Sequence, residues 1–365
     1  MSAMSRLLPG VVCLVAVIAA GCTTAIPGTP QAAQTPSGAA RPTSTGRPGA
    51  PVESDKSSET AVALMKKIQE ADICALHDQE FLKKFGPKVI VTPGPGFHGC
   101  TGIGGTPNAE HFWLFELKVG APYEPKDKAK DKAEDVGGRK VYFPTFSSGD
   151  KDDTCHAKIQ LGQTDFSATL RARMVPNTGK PAPWPERCQQ AGAYLAQLAP
   201  KLESPPARTA APDSRLLGKD PCAKKDQLTA LYPNYQLQRV DYVSPYDCRI
   251  YLTSPTEPLK LLVSVSWDLD DEPEANSSGG LRAEKITMAD LPGVRVMSVD
   301  QGKGGRCLNS ITVKPGQKDV KFSAHLVKVE ADVSIDFSKP PNGKQVPPAD
   351  CGTVNQATEQ VLAGL

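Results

Sequence analysis

The sequence lacks an excess of charge of either sign, a long apolar segment and any familiar catalytic motif. Its 42 lysines and arginines nearly balance 40 aspartates and glutamates over 365 residues. Charge alone therefore offers no basis for binding nucleic acid or an acidic lipid surface, and no nucleic-acid partner is expected. The apolar run Val11 to Ala20 is too short to cross a bilayer as a helix. Histidine is scarce, at five in the chain. No G-x-S-x-G, H-E-x-x-H or P-loop pattern occurs, which removes the usual signatures of serine hydrolases, zinc peptidases and nucleotide-binding enzymes. Hydrophobic residues at 39% and charged ones at 22% suffice for packed cores, with some of the length left outside them.

What is abundant is proline (34) and glycine (31), and much of it gathers near the N-terminus. Arg6, the short run from Val11, and Ala19-Ala20-Gly21-Cys22 read as a signal peptide over 1–21 with a small-residue cleavage site. A cysteine directly after such a site is the pattern of bacterial lipoproteins, which implies that Cys22 becomes the first mature residue and carries a diacylglycerol thioether. From Thr23 to Val52, 24 of 30 residues are Pro, Gly, Ser, Thr or Ala. Residues 22–58 are therefore expected to be a lipidated tether, too poor in apolar surface to offset the entropy of ordering.

Setting aside Cys13 and Cys22, the other cysteines lie at 74, 100, 155, 188, 222, 248, 307 and 351. Cys74 to Cys100 and Cys222 to Cys248 span the same interval of 26. Asp72 to Gln79 matches Asp220 to Gln227 at five of eight positions. Asp135 to Val141 parallels Asp290 to Val296, and Phe166-Ser167-Ala168 parallels Phe322-Ser323-Ala324. Landmarks keep their order while the offset grows, as insertions in loops would make it. The chain is a tandem duplication, with repeats expected over 59–200 and 214–365 and a Pro/Ala-rich linker over 201–213.

Each copy reads alike. Asp78 and Asp226 are placed as helix N-caps after the first cysteine. Leu261, Val263, Val265, Trp267 and Leu269 alternate with polar neighbours, as do Phe166, Ala168, Leu170 and Ala172, the period of a half-covered antiparallel sheet. Cys155 opens a third such strand, and Cys188 and Cys351 open closing helices. The fold expected is α+β: two tandem domains, each an antiparallel sheet with N- and C-terminal helices packed on it.

The Asp220-Pro221-Cys222-Ala223 start, a second cysteine in a strand and a cysteine-initiated last helix resemble an actinobacterial lipoprotein family of unknown function. The first copy departs from that pattern at Ile73 and after Cys100. The resemblance implies an envelope location and a disulfide-bonded domain, with no established chemistry. Four cysteines per copy allow three pairings. The fixed interval of 26, together with the family's usual first pair, leads to Cys74 with Cys100, Cys155 with Cys188, Cys222 with Cys248 and Cys307 with Cys351.

No histidine faces a histidine in the other copy, since His77 aligns with Lys225, His98 with Tyr246, His156 with Leu308 and His325 with Thr169. His77, His98, His111, His156 and His325 are accordingly expected on the solvated surface. Metal sites from His98 with Cys100, or Cys155 with His156, give way to disulfides in an oxidising compartment. Gly94 to Gly99 satisfies G-x-G-x-x-G but precedes a poor helix start, so a turn is expected there. Asp268, Asp270, Asp271, Glu272 and Glu274 have Pro273 where a calcium loop needs glycine. Lys126 to Asp135 reads as a solvated loop. No cofactor or metal is expected. The expected function is a membrane-anchored, extracytoplasmic, non-enzymatic binding module with an envelope protein, glycan or lipid partner; the alternative is an envelope hydrolase with its site in one repeat. If Cys22 is the lipidated residue, Cys22→Ala blocks processing and lipid attachment; a variant that is still processed and still partitions into detergent like wild type overturns the assignment.

Overall fold

Two antiparallel sheets of seven strands, built in the same order, form the framework of the described residues. The computed structural model describes residues 58–94, 96–106, 111–144, 154–176, 182–209, 214–277, 280–298, 305–317, 323–336 and 346–365. Cys22 and nearly all of the tether lie outside the described residues. The first sheet comprises β1 (Val89–Pro93), β2 (Gly99–Gly104), β3 (His111–Pro122), β4 (Lys132–Val136), β5 (Arg139–Phe143), β6 (Thr154–Gln160) and β7 (Phe166–Pro176), ordered β1-β2-β3-β7-β6-β5-β4. The second comprises β8 (Gln236–Ser244), β9 (Asp247–Thr253), β10 (Leu259–Asp270), β11 (Leu281–Met288), β12 (Leu291–Ser298), β13 (Gly305–Lys314) and β14 (Ala324–Ile335). Its order, read from the other edge, is β8-β9-β10-β14-β13-β12-β11. Register repeats as well: Cys100 lies opposite Leu117 and Cys155 opposite Ala172, as Cys248 lies opposite Val265 and Cys307 opposite Ala331.

The two-residue period decides which face is buried. Trp113, Phe115, Leu117 and Val119 on β3, and Leu261, Val263, Val265 and Trp267 on β10, turn to the core. Glu116, Arg171, Ser266 and Lys328 turn to the opposite, polar face, where Arg171 pairs with Glu116. Helix α4 (Trp184–Glu203) packs on β5, β6 and β7, and α6 (Cys351–Leu362) on β13 and β14. The N-terminal helices are slighter: α1 (Glu59–Glu70) and α2 (Gln79–Lys83) in the first domain, α5 (Lys225–Ala230) in the second.

Several local expectations are corrected. Asp78 does cap α2, accepting from the Glu80 and Phe81 amides at 3.0 and 3.1 Å. Asp226 does not cap its helix: the Lys225 amide already bonds the Cys222 carbonyl at 3.0 Å, so the turn at the cysteine runs straight into α5 and Asp226 lies in the first helical turn. Cys351 opens α6 behind an Asp350 cap, whereas Cys188 sits one turn inside α4, because the Pro183-Trp184-Pro185 segment starts the helix earlier. Lys126 to Asp135 is no plain loop; it holds α3 (Pro125–Lys128) and most of β4. Beyond α4 the chain is strapped to the first domain, with the Asp72 amide bonded to the Pro206 carbonyl at 2.9 Å and the Arg208 amide to the Glu70 carbonyl at 3.0 Å.

Four disulfides join Cys74 to Cys100, Cys155 to Cys188, Cys222 to Cys248 and Cys307 to Cys351, with Cα separations of 5.2, 5.1, 5.3 and 5.6 Å. In each domain the first bond ties the N-terminal turn to the second strand, and the second ties a core-facing strand to the closing helix. Closing a loop of about 26 residues stabilises by about 3.5 kcal/mol on chain-entropy grounds. The double variant Cys74→Ala/Cys100→Ala should therefore lower unfolding free energy by about 2 to 4 kcal/mol in denaturant titration. An unchanged midpoint in that variant contradicts the assigned weight of the bond.

The cleft between the two sheets

The domains meet through their equivalent corners, where β1 turns into β2 and β8 turns into β9. The corner carbonyls are used identically: Val119 donates its amide to His98 at 2.9 Å, and Trp267 donates to Tyr246 at 2.8 Å. Each corner also reaches into the other domain. Gly96 donates its amide to the Leu269 carbonyl at 3.4 Å, and Phe97 packs on Tyr246 and His325 with ring centroids 5.4 and 5.2 Å away. In return, Pro245 settles on a β-bulge of β3 at Gly120. Gly120 has φ +83°, and a Cβ there would lie 2.8 Å from the Pro245 ring, so both the backbone and the contact require glycine. Gln69 of α1 closes the seam, donating to the Pro245 carbonyl while its own carbonyl accepts from the Tyr246 hydroxyl at 3.1 Å.

On the polar side of this seam lies a cleft of about 250 Å³. His98, Lys118 and Pro122 line it from the first domain, and Tyr246, Asp247, Ser266 and Asp268 from the second. Asp247 is partly buried, its Oδ1 has no hydrogen-bond partner, and its nearest cation, Arg249, is 3.9 Å away. Burial raises its carboxyl above the usual range; Arg249 opposes this, Asp268 and Glu330 add to it, and Lys118 opposes it. Asp268 is better matched, since Lys328 donates to Asp268 at 2.7 Å and to Asp270 at 3.0 Å. Those two members of the acidic stretch are thus engaged with an ammonium. Among the described residues, no group of three or more His, Cys, Asp or Glu side chains is arranged to hold a metal ion.

The histidines correct the surface expectation. His77, His98 and His325 are buried; only His111 is exposed, and His156 is half-buried. His77 is structural: its Nε2 donates to the Cys100 carbonyl at 3.2 Å and its Nδ1 accepts from the Tyr194 hydroxyl at 2.9 Å. It lies so close to β2 that a Cβ at Gly102 would meet its Nδ1 at 2.7 Å. His98 is buried with both ring nitrogens unpartnered. Composition and alignment could not reveal this, because His98 lies at the corner that meets the second domain, its ring 6.2 Å from that of Tyr246. Asp247 and Lys118 escaped notice because the cleft they line joins residues of both domains. The depressions at the far end of the second domain, about 210 and 560 Å³, are lined by Tyr232, Tyr235 and prolines with no histidine, lysine or arginine. The cleft is therefore the better candidate site.

No protein-family model and no curated protein matches the chain. Solved structures similar to it include the di-domain ARO/CYC StfQ from the steffimycin biosynthetic pathway, at 7% identity over 82% of this chain and 90% of that one, with a TM-score of 0.17. Another is the di-domain ARO/CYC BexL from the BE-7585A biosynthetic pathway, at 10% identity over 83% and 90%, with a TM-score of 0.13. At these scores the likeness carries no inference about activity.

Burial lowers His77 to about 4, with Lys201 adding to it against the Cys100 bond, and lowers His98 to about 3, with Lys118 adding to it. An unfolded histidine titrates near 6.5, so on acidification the unfolded chain takes up protons that the native state refuses. Stability should fall by about 2 kcal/mol per histidine between about pH 7 and about pH 5. The depressed carboxyls of Asp78 and Asp350 add to the loss at still lower pH, while the raised ones of Asp247 and Asp332 oppose it. His98→Gln should flatten the pH dependence of the denaturation midpoint in that window. An unaltered slope in both His98→Gln and His77→Gln overturns the account.

Proposed function

We propose that this chain is a lipid-anchored, extracytoplasmic protein of the cell envelope, whose two domains together form a non-enzymatic binding module. Attachment is through Cys22, and the partner is an envelope protein, glycan or lipid. The Arg6 to Cys22 segment, the tether composition and the resemblance to actinobacterial lipoproteins support the location. Four disulfides agree with an oxidising compartment.

One observation carries the non-enzymatic reading. The cleft assembles Ser266, His98 and Asp247, the residue types of a hydrolytic relay. Such a relay needs the imidazole bonded to the hydroxyl on one side and to the carboxylate on the other. Neither His98 nitrogen has a hydrogen-bond partner, and neither is open to solvent. The groups share a concavity without forming a proton path, which favours recognition over turnover and weighs against the hydrolase alternative.

Protease treatment of intact spheroplasts should degrade the wild-type protein from outside, and the mature protein should give no turnover of chromogenic ester, phosphate-ester or glycoside substrates. Turnover that Ser266→Ala or His98→Gln abolishes overturns the non-enzymatic reading. Full protection from protease overturns the location.

A further inference from the structure

The polar groups of the cleft restrict what can fill it. The Asp247 carboxylate only accepts hydrogen bonds, the Lys118 ammonium only donates them, and the Ser266 hydroxyl does both. A cationic ligand satisfies Asp247 and meets repulsion from Lys118; an anionic ligand does the reverse beside Asp247 and Asp268. Hydroxyl groups satisfy both ends at once, since each donates to a carboxylate and accepts from an ammonium. Size agrees: about 250 Å³ holds a ligand of roughly a dozen non-hydrogen atoms, the scale of one sugar ring. Pro122, which is exposed, adds apolar surface for the C–H face of such a ring. Asp247 lines the cleft, and its carboxylate lacks a protein donor on Oδ1, an oxygen closed to solvent until the side chain turns toward a ligand hydroxyl.

We infer that the cleft between the two domains is a carbohydrate site that takes a single neutral sugar ring, with Asp247 accepting from its hydroxyls and Lys118 donating to them. This rests on the binding-module reading and names its ligand class. The site belongs to the tandem and to neither domain alone, because Lys118 and Asp247 come from different sheets. Asp247 is partly buried, with Arg249 at 3.9 Å and no donor on Oδ1, so binding capacity is held at the expense of stability.

The test uses the full mature chain with Cys22→Ser and the methyl glycosides of glucose, galactose, mannose and N-acetylglucosamine, followed by ligand-detected saturation-transfer NMR. At least one glycoside should show saturation transfer, and Asp247→Asn should weaken it by about ten- to a hundredfold while leaving the melting temperature equal or higher. Lys118→Ala, at an exposed position, should weaken it too, and Arg171→Ala on the first sheet's outer face should not. No transfer from any of the four glycosides, or transfer that persists in both cleft variants, overturns the carbohydrate site and leaves the binding-module reading standing. Release of free sugar in the same samples instead overturns the non-enzymatic reading while keeping the ligand class.

Discussion

The seat of Pro245 on the glycine bulge of β3 is the contact on which the arrangement of the two sheet domains depends. Gly120 departs from the strand with φ +83°, which opens room for the proline ring, and Gln69 then holds the Pro245 carbonyl. With that corner fixed, Phe97 of the opposite corner is carried onto Tyr246 and His325. The two domains are thereby locked through reciprocal, equivalent corners. A larger residue at position 120 would separate them, because its Cβ would overlap the ring.

Reciprocity also explains why the cleft is chemically uneven. The interval from Cys74 to Cys222 is 148 positions, and the same offset relates His98 to Tyr246, Lys118 to Ser266, Gly120 to Asp268 and Gly99 to Asp247. Positions equivalent in sheet register carry unlike residues: Gly99 pairs with Lys118 across β2 and β3 where Asp247 pairs with Ser266 across β9 and β10. Duplication supplied a symmetric frame, and divergence at these pairs placed an ammonium on one wall and carboxylates on the other. The resulting field is local, which is why the balanced overall charge gave no hint of it.

The burial of His77 and His98 shows two uses of one residue type. His77 is satisfied at both nitrogens and links α2, the first disulfide and α4 through Cys100 and Tyr194. His98 has no such partners and lies beside Tyr246 of the neighbouring domain. Burial keeps both neutral at ordinary pH, since desolvation penalises the charged imidazolium.

The duplication, the alternating strands and the cysteine intervals were legible in the sequence, because each is a pattern of local period or fixed spacing. Leu261 to Leu269 and Phe166 to Ala172 alternate whatever they pack against, and an interval of 26 residues recurs wherever it falls. Where a one-residue choice of hydrogen bond decided the outcome, as at Asp226 or Cys188, composition pointed only to the neighbourhood. The surface assignment of His98 failed because its corner packs against Tyr246 of the second domain, a contact that alignment of the two copies does not display. What only the tertiary structure decided was the meeting of the two corners: the opposition of Asp247 and Asp268 to Lys118 depends on the distance between residues more than a hundred positions apart, and no periodicity along a chain encodes that distance.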